Sequence, residues 1–289
     1  MTMTGGENSD VIIYDGTCLF ASTNTDTPGL TDPDDSVNIN DLRQGAIGDC
    51  GLLAALGAMV KKDPALIHNL IQNNGNGTAR VDFFPTVGGP AVQITVSLTL
   101  DAGYTQADLS GDYCMSAGAT PHREWEIWPQ VLEKAYALFR AQQGENVNNV
   151  YANLDGVITD QAWQQLTTQT AQNVPTAGLT AGFIALNIKF RYAADAMIVV
   201  SSNLVIPNPV VSVDNGDVLN YEIARNHAYV LLRIWQDPGG NDIMELFNPH
   251  GGDPGSDAAT TNADGPITGP VIEVPLWAFN TYFRAYQWQ

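Results

Sequence analysis

The chain has 289 residues with 31 acidic and 12 basic side chains, a formal net charge of −19, and 44% hydrophobic residues. So negative a surface repels phosphate backbones and argues against nucleic acid as a partner. The apolar content is ample for a packed core, in one large domain or two small ones. The apolar stretch Gly51 to Val60 is about half the roughly 20 residues that a membrane span needs, so it reads as a buried helix and no span is expected. Met1 to Asp10 holds no basic residue and no apolar run, so no cleavable secretion signal is visible. The expectation is a soluble protein, cytoplasmic or secreted without such a signal. Cys18, Cys50 and Cys114 lack C-x-x-C spacing, which suggests neither a zinc site nor a disulfide framework.

Residues 1–30, rich in Asp, Asn, Thr, Gly and Pro, read as an irregular lead-in with a short strand at Val11 to Tyr14. Asp49 stands in N-cap position before Leu52, Leu53, Ala55, Leu56, Met59 and Val60, a helix that closes on Lys61-Lys62. Asp63-Pro64 caps a second helix through Ile71. Alternation in Ala79 to Phe84 and Val92 to Leu100, around Val87-Gly-Gly-Pro90, predicts a β-hairpin. Trp125, Trp128, Leu132, Ala135, Tyr136 and Phe139 fall on one face of a long helix, and that aromatic face reads as core. After Asn173 strands dominate: Met197 to Ser201, Ala228 to Trp235, Ile243 to Phe247 and Val271 to Val274. Turn chemistry marks Asp214-Asn-Gly216, Pro238-Gly-Gly240 and Gly251 to Gly255. The fold class is α+β, a mainly helical part at 31–173 followed by a β-rich part at 174–289, and a cleft is expected between them.

Three segments carry chemistry. In Gln44-Gly-Ala-Ile-Gly-Asp-Cys50 the thiol opens the first helix, where the helix dipole favours thiolate. Gly45 and Gly48 let the backbone turn, and Gln44 with the Cys50 N–H can stabilise an oxyanion. A buried structural cysteine would fit the same sequence. The base must come from His68, His122, His227 or His250. His227 is best placed, because it opens the apolar strand His227-Ala-Tyr-Val-Leu-Leu232 where a loop enters a sheet. In Glu245-Leu-Phe-Asn-Pro-His-Gly251, Asn248 follows His227 by 21 residues and can fix the imidazole tautomer with a neutral amide. Scattered carboxylates (Asp32-Pro-Asp-Asp35, Asp253, Asp257, Asp264) read either as solvated loops or as calcium ligands.

These blocks, with Leu52-Leu-Ala-Ala55, Leu132-Glu-Lys-Ala-Tyr136, His227-Ala-Tyr229, Asn248-Pro-x-Gly251 and the closing segment Trp277 to Tyr286, resemble the calpain-type branch of papain-like cysteine proteases over about residues 30–289. The resemblance implies a two-lobed protease core, with catalytic Cys in the helical lobe and His and Asn in the β-rich lobe. It implies cleavage of a protein or peptide substrate through a Cys50 thioester, and Gln44 as oxyanion donor. It departs from the family pattern at Gly51 and His250, where Trp is usual, and at Asn226, where Gly is common. The resemblance also implies calcium: Asp41 stands three residues before Gln44 as an expected ligand, with Glu145 and Asp253 or Asp257 as partners. No organic cofactor is expected. Two alternatives stay open, a binding or regulatory module on a weak or inactive scaffold, and acyl transfer to an amine.

Overall fold

The computed structural model describes residues 14–19, 37–42, 44, 47–99, 113–116, 122–205, 210–214, 217–221, 223–249, 261–262, 265–266 and 271–289. Gly45, His250, Asp253, Asp257, Asp264, the segment Asp32 to Asp35, the turn at Gly251 to Gly255 and most of the expected Val11 to Tyr14 strand lie outside these residues. The strand that is described, β1, spans Tyr14–Cys18.

Helix α1 (Cys50–Lys62) forms where its apolar run predicts, and every residue from Gly51 to Val60 is buried. A helix buried on all faces belongs to the centre of a fold. Small residues make that burial possible: a Cβ on Gly57 would lie 3.0 Å from Val230 Cγ2 and 3.3 Å from Leu42 Cδ1. The short α2 (Ala65–Leu70) follows, its first turn held by Asp63 Oδ1, which accepts from the Ala65 N–H at 2.9 Å.

The expected hairpin is present as β3 (Thr78–Phe83) and β4 (Val92–Ser97), joined by β2 (Ile71–Asn73) into an antiparallel sheet. Ala79, Val81 and Phe83 point inward at the period of two that a half-buried strand requires. Strands β5 (Tyr113–Ser116) and β6 (His122–Glu126) pair with each other, and β6 runs parallel to β1.

Trp125 therefore lies in β6 and not on the long helix, which begins three residues later as α3 (Trp128–Gln142). Pro129 is the reason: without an N–H, proline is favoured in the first helical turn, and the helix starts just before it. The rest of the aromatic face is core as expected, with Trp128, Tyr136 and Phe139 fully buried. Helix α4 (Thr159–Thr167) is locked onto α1 by the Trp163 indole N–H, which donates to the Ala55 carbonyl at 2.9 Å.

The later part contains β7 (Gln172–Pro175), α5 (Ala181–Ala193), β8 (Ile198–Ser202), β9 (Val210–Asp214), β10 (Asp217–Tyr221), β11 (Ala228–Gln236) and β12 (Asp242–Phe247). It ends with β13 (Thr261–Asn262), β14 (Gly265–Pro266), β15 (Val271–Pro275), the short α6 (Phe279–Tyr282) and β16 (Phe283–Trp288). Six of these strands form one sheet in the order β15-β12-β11-β8-β16-β7.

Alternation sends Val199, Ala228, Val230 and Phe247 into the core that contains α1 and α3, and Val200, Tyr229, Leu231 and Leu246 into a second core. The second core is covered by α5, a helix that the sequence did not reveal. Only Ile184 and Ile188 of α5 are buried, while Phe183, Leu186 and Phe190 are exposed, so apolar residues surround the helix and no clear period survives. The fold is a mixture of helix and sheet, consistent with α+β.

One polar contact ties the segment before α1 to α3. Asp41 is fully buried, and its Oδ2 accepts from the Trp128 indole N–H at 2.8 Å and from the Asn38 N–H at 2.6 Å. Trp128→Phe removes the indole N–H donor from a buried carboxylate, a loss expected to cost about 1.5–3 kcal/mol in urea-induced unfolding, with a further cost for the volume lost with the smaller ring. A variant as stable as wild type would show that Asp41 finds an equal donor elsewhere.

Candidate active site

Cys50 is the first residue of α1 and is half-buried. Asp49 occupies the N-cap position but does not cap with its side chain. Its backbone carbonyl accepts from the N–H groups of Leu52, at 2.8 Å, and Leu53, at 3.1 Å. The Asp49 carboxyl instead turns into the core beside Glu133 of α3, both residues are fully buried, and neither Asp49 oxygen accepts from an ordinary donor among the described residues. Two carboxyls can share a hydrogen bond only if one keeps a proton. Burial accordingly pushes Asp49 up to about 6; the bond with Glu133 opposes the rise and nearby Asp155 adds to it.

The sequence placed Cys50 in a field that favours thiolate, yet the thiol is pushed above its ordinary value. Burial is the largest cause, the Ala228 N–H opposes it, and the Asp49 charge adds to the rise. The N–H groups of Gly51 and Cys50 itself also favour thiolate, but less than burial disfavours it. That ordering is the physical correction to the dipole argument: a helix terminus helps an exposed thiol more than one packed under a sheet.

His227 immediately precedes β11, as its position in the sequence suggests, and is 4% exposed. Strand pairing fixes its backbone, since its N–H donates to Ser202 Oγ at 2.9 Å and its carbonyl accepts from the Ser202 N–H at 2.8 Å. Ser202 Oγ also donates to the Ala224 carbonyl at 2.7 Å, and the Ala224 N–H donates to the Tyr229 hydroxyl at 2.8 Å. The Tyr229 ring stands edge-on to the imidazole at 4.9 Å. Asn248 lies just beyond β12 and its Oδ1 is 2.8 Å from His227 Nε2, so Nε2 carries the hydrogen and donates. Strands β11 and β12 are neighbours in the sheet, which brings residues 21 apart in sequence together.

Cys50 and His227 line one cleft of about 640 Å³, with Gln44, Gly48 and Gly51 beside the thiol. The Ala228 N–H that reaches the sulfur adjoins His227 directly, so helix start and strand start meet at this point. Gln44 is 7% exposed, and its Nε2 donates to the Ile47 carbonyl at 2.6 Å. The Gln44 backbone N–H donates to the Pro249 carbonyl at 2.6 Å, which ties its segment to the turn after Asn248.

Of the expected calcium ligands, Asp41 and Glu145 lie within the described residues, and each is engaged by another side chain. Asp41 is sealed in the core against Trp128, and Glu145 is ion-paired with Arg140 at 2.7 Å. No group of three or more His, Cys, Asp or Glu suited to a metal occurs among the described residues, and Asp253 lies outside them. His68 sits on α2. His122 falls in β6, and His250 lies outside the described residues.

Ser202, Tyr229 and Arg284 are site residues that the sequence did not reveal. Ser202 and Arg284 reach the histidine loop from strands distant in sequence, for which a single sequence holds no local signal, while Tyr229 lies two residues beyond His227 on β11 and its bond to Ala224 is the part that was not legible.

A profile of the calpain family of cysteine proteases matches residues 24–255. The chain belongs to that family. Membership implies a cysteine peptidase acting on peptides. None of the curated proteins compared matches the chain significantly.

Two departures from the calpain pattern have structural reasons. A Cβ on Gly51 would lie 1.9 Å from the Val157 carbonyl oxygen, so the segment before α4 leaves no room for the usual Trp. Asn226 has a φ of 49°, the left-handed region where glycine is at ease and asparagine is among the most tolerated alternatives.

The buried acid behind the thiol gives a testable sign. Because the Asp49 charge raises the Cys50 pKa, Asp49→Asn is expected to shift the pH profile of iodoacetamide alkylation at Cys50 to lower pH. The raised Asp49 pKa also means that its contribution to stability is greatest below its ordinary value of 3.8 and is lost as pH rises through about 6. The same variant should therefore remove that part of the pH dependence in urea unfolding. An unshifted alkylation profile would show that the thiol does not sense this carboxylate.

Proposed function

We propose that the protein is a calpain-like cysteine endopeptidase with Cys50 as nucleophile, His227 as general base and Asn248 as the group that orients the imidazole. The observation that carries this reading is the 2.8 Å contact of His227 Nε2 with Asn248 Oδ1, on a histidine that shares its cleft with the thiol at the start of α1. With Nε2 donating to Asn248, Nδ1 is the atom that takes the thiol proton. The thiolate attacks the peptide carbonyl carbon, and the oxyanion is held by the Cys50 N–H and the Gln44 amide. Nε2 of Gln44 has one hydrogen committed to Ile47 and a second to offer. The C–N bond then breaks as the imidazolium returns its proton to the leaving amine. Water, deprotonated by His227, cleaves the thioester and releases the acid.

Burial raises the thiol pKa, so in this reading the thiolate forms by transfer to His227 and does not preexist as a free anion. That arrangement makes His227 indispensable. Casein cleavage should vanish in Cys50→Ala and survive in Cys18→Ala and Cys114→Ala. His227→Ala should lose roughly 10²- to 10⁴-fold in kcat, and Asn248→Ala less. Full activity in Cys50→Ala would sink the assignment, and wild-type rates in His227→Ala would move the base to another histidine. Acceptance of an added amine in place of water, read as amide product by mass spectrometry, would favour acyl transfer.

Calcium enters as a separate question. With Asp41 bonded to Trp128 and Asn38, and Glu145 to Arg140, the reading includes no step through the ion. Cleavage in excess chelator is expected to equal that in millimolar calcium. A rise with calcium would assign the switch to carboxylates outside the described residues, Asp253 among them.

A further inference from the structure

Basic side chains are scarce in this chain, so where they stand is informative. Among the described residues Lys62, Arg80, Arg140, Lys189 and Arg233 are each paired with a carboxylate. Arg191 stacks on the Trp288 ring at 3.7 Å, and Lys61 lies over Tyr192 at 5.5 Å. Arg225 and Arg284 differ. Both are exposed, neither has a carboxylate partner among the described residues, and both line the cleft beside His227. Arg225 precedes the histidine by two positions. Arg284, on β16, donates from Nη2 to Asn226 Oδ1 at 2.8 Å, which places its guanidinium against the same loop.

A protein with a net charge of −19 repels acidic peptides at long range and attracts basic ones. Two guanidiniums beside the histidine, neither paired with a carboxylate among the described residues, reverse that preference locally. Only one of the five N–H donors of Arg284 is committed to Asn226, so a bidentate face remains for a carboxylate. The wall on the helix side has the opposite sign, because exposed Asp155 stands next to Gly48 there. A chain lying in the cleft therefore meets positive charge along the histidine wall and negative charge along the thiol wall.

Taking the cleft as the substrate groove of the proposed peptidase, we propose that Arg225 and Arg284 form a carboxylate-binding subsite that selects substrates with an Asp or Glu side chain near the scissile bond. The preference is tied to position, since an acid placed against Asp155 meets repulsion. It weakens with salt, because both arginines are exposed and screened within about 8–10 Å at ordinary ionic strength.

Binding to Cys50→Ala tests the subsite without requiring turnover. A set of fluorescent peptides carrying Glu, Gln or Lys at each of several positions in a fixed neutral sequence is titrated at low and high salt by anisotropy. At one position the Glu peptide should bind roughly five- to tenfold more tightly than its Gln counterpart at low salt. The ratio should shrink in high salt, fall in Cys50→Ala/Arg225→Gln and approach one when Arg284→Gln is added. In Cys50→Ala/Arg225→Glu it should turn toward the Lys peptide. Equal affinities for Glu and Gln peptides at every position, or a Glu preference that persists in the arginine variants, would overturn the subsite. Cleavage of the same peptides by protein with Cys50 intact is read separately. A Glu preference in binding with no cleavage of any peptide would sink the peptidase reading and leave the subsite standing.

Discussion

The packing of α1 against β11 is the constraint on which everything else rests. The proposed mechanism needs the first residue of this helix, Cys50, to be brought against the start of the strand that follows His227. Small residues achieve this, with Gly57 close to Val230 and Gly51 close to the Val157 carbonyl. The Cys50 sulfur then meets the Ala228 N–H, one residue from His227. Larger side chains on this helix would push its axis away from the sheet, and the interiors of proteins do not yield by such amounts without cost.

Around that contact the histidine is held by polar bonds that leave the ring little freedom. Ser202 fixes the His227 backbone, Tyr229 braces the loop through Ala224 and packs on the imidazole, and Asn248 takes Nε2. Asn226 accepts a left-handed conformation and a bond from Arg284, so the residue before the histidine is pinned as well. Such preorganisation matters because orientation of a base is effective only when the supporting groups are already in place before substrate arrives.

Electrostatics here oppose ionisation of the Cys50 thiol more than they assist it. Burial and the Asp49 charge raise the Cys50 pKa, and Asp49 is itself pushed toward neutrality by its removal from water and by nearby Asp155, against the opposing effect of Glu133. In the proposed mechanism a thiol in that setting ionises by giving its proton to His227. The cleft adds a second asymmetry, positive on the histidine side and negative at Asp155, in a protein whose overall field is strongly negative.

Local pattern settled α1, the β3-β4 hairpin, most of the α3 core face and the main strands, since each depends on neighbours within a few residues. It also placed Cys50 at a helix start, His227 at a strand start and Asn248 at a strand end, because such boundaries are visible locally. Helix α5 escaped because only two of its residues are buried, and Trp125 was misplaced because spacing alone outweighed the start signal at Pro129. Asp41 and Glu145, expected as calcium ligands from the family resemblance, are bonded in the fold to Trp128 and Arg140. The reach of Ser202 and Arg284 to the histidine loop, the Asp49–Glu133 pair and the sign of the Cys50 shift were decided only by the fold. Each depends on strands and helices distant in sequence meeting at one depth, where burial and pairing set charge states that no run of neighbouring residues encodes.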